Sequence, residues 1–177
     1  MQMSRATNHG TGVHGPFDVI GIRGEREKRH TEFGLYDGGG CPVPECDIGG
    51  QLFTSTPRAR SSNDAPVHTH LEPVLFAGLA PQQFGHVILN SIGRLWAVQH
   101  MPTDASLLFL PRNKARFAYY PYIKPILELL GVQSRVILHN EVTRYHALYT
   151  AKDLFGERHG GTMEPQMRDW LAQRLPP

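Results

Sequence analysis

Between residues 84 and 96 the chain reads FGHVILNSIGRLW. His86, Asn90 and Arg94 recur every four residues through an otherwise apolar run. These side chains suit a transfer reaction between polar groups. An imidazole with an unperturbed pKa of about 6.5 takes a proton near neutral pH. A guanidinium holds a phosphate or carboxylate through two parallel hydrogen bonds. If the segment is one α-helix at ~100° per residue with His86 at zero, Asn90 falls near ~40° and Arg94 near ~80°. Ile88, Leu89, Ile92, Leu95 and Trp96 fill the opposite sector, and only Val87 interrupts the polar one. A solvated surface face would also give such a stripe, but the Lys and Glu usual there are absent from it.

Three other groups compete. In VHTHLE, His68 and His70 alternate as strand residues on one face do, and a His-x-His pair can hold zinc or iron. Glu72 is too close to them for the spacing of metal-binding barrels, so an exposed loop is the plainer reading. Cys41 and Cys46 bracket two prolines in CPVPEC. A zinc site would need a second pair, which only His68 and His70 could supply. KARFAYYPYIK interleaves Lys114, Arg116 and Lys124 with Phe117, Tyr119, Tyr120 and Tyr122. Such a mixture binds single strands or stacks on sugars, or simply packs aromatics at a helix start. The net charge of +2 argues against a nucleic-acid partner.

These groups must be positioned by the surrounding elements. Residues 1–15 are polar and Gly-rich and are expected to be disordered. Residues 16–72 read as a small β-rich segment: a short strand in PFDVIGIRG, then broken strands with a hairpin signal at Asp37-Gly38. From residue 73 the pattern changes to alternating strands and helices. PVLFAGL, SLLFLPRN and SRVILHN are short apolar runs that predict buried strands, and YHALYT is a fourth candidate. GHVILNSIGRLWAVQH predicts one helix between the first two. YPYIKPILELLGV predicts another, with Pro121 in its first turn, Pro125 as a kink or its true start, and Gly131 as its C-cap. TMEPQMRDWLAQRL predicts a last helix with Thr162 as N-cap and Met163, Met167, Trp170, Leu171 and Leu175 on one face. Alternation of this kind predicts parallel α/β units over residues 73–177. No G-x-G-x-x-G follows the first of these strands.

At 177 residues, 40% hydrophobic and 19% charged, the chain can bury a core without a disulfide or metal staple. The 18 glycines and 14 prolines point to many turns. No apolar run reaches the roughly 18–20 residues of a transmembrane segment. With only two cysteines and no visible signal peptide, the expected setting is cytoplasmic, at most peripheral to a membrane.

The run from Gly85-His86 through Asn90 to Arg94-Leu95-Trp96 resembles the signature of the family 61 glycosyltransferases, formerly a domain of unknown function in capsule and polysaccharide proteins. FLPRN, ILELLGV and RVILHNEV follow in the family's order, so the resemblance covers roughly residues 72–177. Where the family often carries an acid, this chain has Asn90. The resemblance implies an inverting glycosyltransferase of the GT-B type, with a Rossmann-like N-terminal lobe for the acceptor and a second lobe for the donor. It implies His86 as base, with Gly85, Asn90 and Arg94 in the acceptor cleft. It also implies a nucleotide sugar as cosubstrate, no permanently bound cofactor, and a glycan or polysaccharide acceptor as partner. The chain stops at RLPP, where that second lobe would start, and His159-Gly160-Gly161 is not the lobe's late His-Gly-Ala element. The expectation is therefore a Rossmann-like α/β lobe at 73–177 without the donor-binding lobe, completed by a second lobe or a homo-oligomer. The alternatives are a non-catalytic glycan-binding or assembly module, or a metal-dependent enzyme using His68 and His70.

Overall fold

The computed structural model describes residues 12–25, 31–38, 40–41, 43, 46, 66–80, 84–111, 123–138, 141–155 and 162–175. The chain forms strands β1 (Val13–Glu25), β2 (Thr31–Asp37), β3 (His68–His70), β4 (Val74–Ala80), β5 (Ser106–Pro111), β6 (Val136–Leu138) and β7 (Thr143–Ala151). Its helices are α1 (Phe84–Ser91), α2 (Ile123–Leu129) and α3 (Pro165–Ala172), with a 3₁₀ segment at Ile92–His100 directly after α1.

All seven strands share one mixed sheet, ordered β2-β1-β7-β4-β5-β6, with β3 also paired to β7. Strands β7, β4, β5 and β6 run parallel, while β1 is antiparallel to both β2 and β7. Strand β4 is buried at every residue, which is why VLFAGLA reads as a continuous apolar run and not an alternating one. Its faces swap partway along. Leu75 and Ala77 enter one core and Val74 and Phe76 the other, yet Leu79 joins the core of Val74. The swap occurs at a register shift between Phe76 and Gly78. One extra residue turns every later side chain over, and Gly78 takes the required φ of +108° without a Cβ penalty.

The larger core lies under the helices. It joins Leu75, Leu107 and Phe109 of the sheet to Val87, Leu95, Trp96, Leu127, Met167 and Trp170. The opposite face buries Val74, Phe76, Leu108, Tyr145 and Leu148 with Val19, Leu35, Val43 and Cys46. The hairpin signal matches a reversal between Asp37 and Cys41, where Gly40 N–H donates to Asp37 O and Cys41 N–H to Asp37 Oδ1, each at 2.9 Å.

Several sequence expectations are corrected here. The fold is not a helix-rich Rossmann-like lobe preceded by a separate β-rich segment. Among the described residues, strand outweighs helix. The physical reason is β1, which pairs along β7 from Val13 to Gly21 and continues the sheet into an antiparallel hairpin. The helices are also short and pack into a single core. Between β6 and β7 only residues 139–142 remain, which leaves no room for the crossover helix of a parallel unit. The predicted single helix at 85–100 changes winding after Ser91. The last helix starts at Pro165 with Glu164 as N-cap, not at Thr162, because Pro at the first helical position has no N–H to satisfy. Of its predicted apolar face, Met167 and Trp170 are buried, Met163 instead bridges to Phe155, and Leu175 is exposed.

Other readings hold. β4, β5, β6 and β7 fall on the four predicted apolar runs. Gly131 terminates α2 at φ +66°, with Gly131 N–H donating to Glu128 O and Val132 N–H to Leu127 O, the Schellman pattern. Pro125, expected as a kink or the true start of α2, is instead its third residue, where a missing N–H costs nothing. One further expectation is corrected: Val13 to Gly15, read with a disordered N-terminus, belong to β1 because Val13 and His14 pair with β7. Residues 1–11, Pro121 and His159-Gly160-Gly161 lie outside the described residues. So do Lys114, Arg116, Phe117, Tyr119, Tyr120 and Tyr122. Among the described residues, no helix is long and apolar enough to cross a membrane.

Candidate functional site

Parallel β4 and β7 both end toward the same side of the sheet. The chain runs from β4 to β5 to β6 in one direction, then returns to the other flank of β4 as β7. In open sheets with parallel strands, the crevice at such a reversal, beyond the carboxyl ends of the strands, is where ligands bind. Two segments follow these strands in the chain: α1 after β4, and residues 152–155 after β7.

Gly85 and His86 stand in the first turn of α1, and Asn90 one turn further on. Gly85 is exposed, and a Cβ there would meet nothing within 4 Å. The side chains of His86 and Asn90 lie outside the described residues.

Arg94 does not continue their stripe. Past Ser91 the backbone winds with about three residues per turn, so a 100° wheel no longer applies. Arg94 turns inward, with 3% of its side chain exposed, and its Nη1 donates to Asp153 Oδ2 at 3.2 Å. Its guanidinium also sits 5.5 Å from the centre of the Phe76 ring. The neighbouring residues dock on the same stretch of chain. Leu154 N–H donates to Gly93 O at 3.0 Å, and Trp96 Nε1 donates to Lys152 O at 3.0 Å. Gly93 has no space for a side chain: a Cβ would overlap the Asp153 carboxylate and lie 2.6 Å from Phe155 O. Ser91 Oγ donates to Leu79 O, which ties the end of α1 to β4. These anchors set the winding of residues 92–100. The Gly-Arg-Leu-Trp stretch is thus the seam that joins the exits of β4 and β7.

Asp153 was not among the residues singled out from sequence. Its only local signal is its place two residues after an apolar strand. The salt bridge from Lys152 Nζ to Glu164 Oε1 at 2.7 Å, and the bond from Glu164 N–H to Leu154 O at 2.9 Å, fasten the same turn to α3.

The metal reading places its residues elsewhere. His68 Nε2 is 2.6 Å from Glu141 Oε2, and His70 stacks on Tyr145 with ring centres 5.5 Å apart. Cys41 is exposed and Cys46 buried in the second core. Among the described residues, no three His, Cys, Asp or Glu side chains gather at a spacing that could hold a metal ion.

A second charged group was also missed. Asp18 on β1 accepts from Arg144 Nε at 3.0 Å and Nη2 at 2.6 Å, and His146 Nδ1 lies 3.6 Å from Asp18 Oδ1. The bonds from Arg144 hold the Asp18 carboxyl below its ordinary value. Burial pushes the Tyr145 phenol up, opposed by its bond with Thr143. The visible signal for the first pair was a lone acid in PFDVIG and a lone base in TRYHALYT, both in apolar strands.

Searches against protein-family models, curated proteins and solved structures found no match to this chain.

Proposed function

We propose that this chain acts in sugar transfer of the family 61 type, moving a sugar from a nucleotide-sugar donor to a hydroxyl of a glycan or polysaccharide acceptor. The observation that supports the reading is that Gly85-His86 stand in the first turn of α1, the helix that follows β4, and β4 is one of the two strands at the strand-order reversal. The motif that resembles the family supports it. In the proposed step His86 takes the proton of the acceptor hydroxyl as that oxygen attacks the anomeric carbon. The bond from the anomeric carbon to the donor oxygen breaks, and the nucleoside diphosphate leaves with the electron pair. Asn90, one turn on, is the acceptor-orienting residue of this reading. The role of Arg94 differs from the one the resemblance implies. Its guanidinium is paired with Asp153 inside the protein, so in this reading it serves the frame of the site and not the acceptor cleft.

The test is release of nucleoside diphosphate from a panel of nucleotide sugars in the presence of mixed polysaccharide acceptors. The expected result is acceptor-dependent release that falls at least a hundredfold in His86→Ala with the circular dichroism spectrum unchanged. That size corresponds to the loss of one general base. Release that survives the substitution would overturn the base assignment. Oligosaccharide binding with no release from any donor would replace transfer by a non-catalytic glycan-binding module.

A further inference from the structure

We infer that Asp153 is a positioning residue of this crevice, acting through Gly93 and Arg94 on α1 and hence on the backbone that carries His86 and Asn90. The functional half of the inference rests on the sugar-transfer reading. The geometric half rests on the seam alone.

Asp153 is the hub of that seam. One carboxylate oxygen takes Arg94 Nη1 at 3.2 Å, and the other faces Phe155 N–H at 3.4 Å and the bare Cα of Gly93. Arg94 is 3% exposed and Asp153 15%, so the pair is largely shielded from water and salt. Gly93 lies two residues past the end of α1, and Ser91 is already held by Leu79 O of β4. The carboxyl end of α1 is therefore gripped from β4 on one side and from the turn after β7 on the other. A rigid helix of two turns held at one end carries its other end, with Gly85 and His86, in a set direction. A buried charge that loses its partner keeps its desolvation cost without the compensating attraction. Neutralising Asp153 should therefore displace Arg94 and loosen α1 first.

The experiment compares Asp153→Asn and Arg94→Lys with the unaltered full chain by peptide-resolved amide hydrogen exchange. Asparagine keeps the volume of the aspartate and removes its charge. Lysine keeps the cation and removes the planar fork. In Asp153→Asn, peptides spanning residues 84–100 and 152–155 should exchange at least tenfold faster, while those from β1, β5 and α2 stay within twofold. Arg94→Lys should show the same pattern at smaller size, and it decides the matter if Asp153→Asn does not fold. Equal acceleration everywhere would mean that Asp153 only stabilises the fold, and no acceleration that it holds nothing. Either result overturns the inference. With transfer activity in hand, kcat should fall at least tenfold in Asp153→Asn while the acceptor KM changes less than threefold. An unchanged kcat also overturns it. If the unaltered chain releases no nucleoside diphosphate, the sugar-transfer reading fails, and the exchange pattern alone decides the positioning.

Discussion

Gly85 stands in the first turn of α1 and Gly93 just past its end, yet Gly→Ala should act in opposite directions at the two positions. At Gly93 an added Cβ would overlap the Asp153 carboxylate and stand 2.6 Å from the carbonyl oxygen of Phe155. The carboxylate cannot swing away without leaving Arg94, and the carbonyl belongs to backbone that is itself held, through Leu154 N–H, by Gly93 O. Forcing a methyl into such a contact costs about 1–3 kcal/mol. Weakening the Arg94–Asp153 pair adds to this, since breaking one side of a buried pair costs about 3–5 kcal/mol when it is complete. Against these stands a gain of about 0.5–1 kcal/mol from the reduced freedom of the unfolded chain. The net expectation for Gly93→Ala is a loss of about 2–3 kcal/mol, with overpacking and partial loss of the ion pair outweighing the entropy gain. At Gly85 nothing lies within 4 Å of a Cβ, so only the gain remains, about 0.5 kcal/mol in a first helical turn. Thermal unfolding followed by circular dichroism reads both. At roughly 2–4 °C per kcal/mol for a chain of this size, the two melting temperatures should differ by about 5 °C or more. Equal stability of the two variants would refute the close packing of Gly93 against Asp153.

Two further outcomes follow from local geometry. Asp18 has a folded pKa below its ordinary 3.8 because Arg144 bonds to it. Its contribution to stability is therefore complete above that ordinary value and is lost as pH falls through the folded value. Asp18→Asn should flatten the acid side of the stability–pH curve below about pH 5. The effect is modest, because Arg144 is 43% exposed and solvent screens the pair. A stability–pH curve with the same acid slope in both proteins would contradict the Asp18–Arg144 pairing. Gly131→Ala should destabilise α2 by about 1 kcal/mol, since any side chain at φ +66° is strained. Guanidinium unfolding would show a lowered midpoint with unchanged slope, and an unchanged midpoint would contradict the left-handed cap.

Much of the strand content was legible because its cause is local. Val74–Ala80 and Ser106–Pro111 are apolar at nearly every position, as strands buried on both faces must be. Gly131 announced the end of α2 because few other residues take a left-handed φ cheaply. Other features depended on distant partners. Nothing within PFDVIGIRG indicates that it pairs with Thr143–Ala151, more than a hundred residues later. A 100° wheel through residues 85–100 looked amphipathic, but it presumed a single winding. The anchors from Gly93 and Trp96 to residues 152–154 replaced it after Ser91. Asp153 was invisible for the same reason, since 59 residues separate it from Arg94.

By itself, the sequence determined where the chain could extend, coil and turn, and it placed a histidine, an asparagine and an arginine at four-residue intervals from residue 86 to residue 94. Those properties come from backbone preference and side-chain character, which act over a few residues. Only the tertiary structure decided that the parallel strands share their sheet with an antiparallel hairpin, and that Arg94 faces inward to Asp153. Both outcomes arise from contacts between distant segments. Whether a strand finds a partner, or a buried guanidinium an acid, is settled by the free energy of the assembled core.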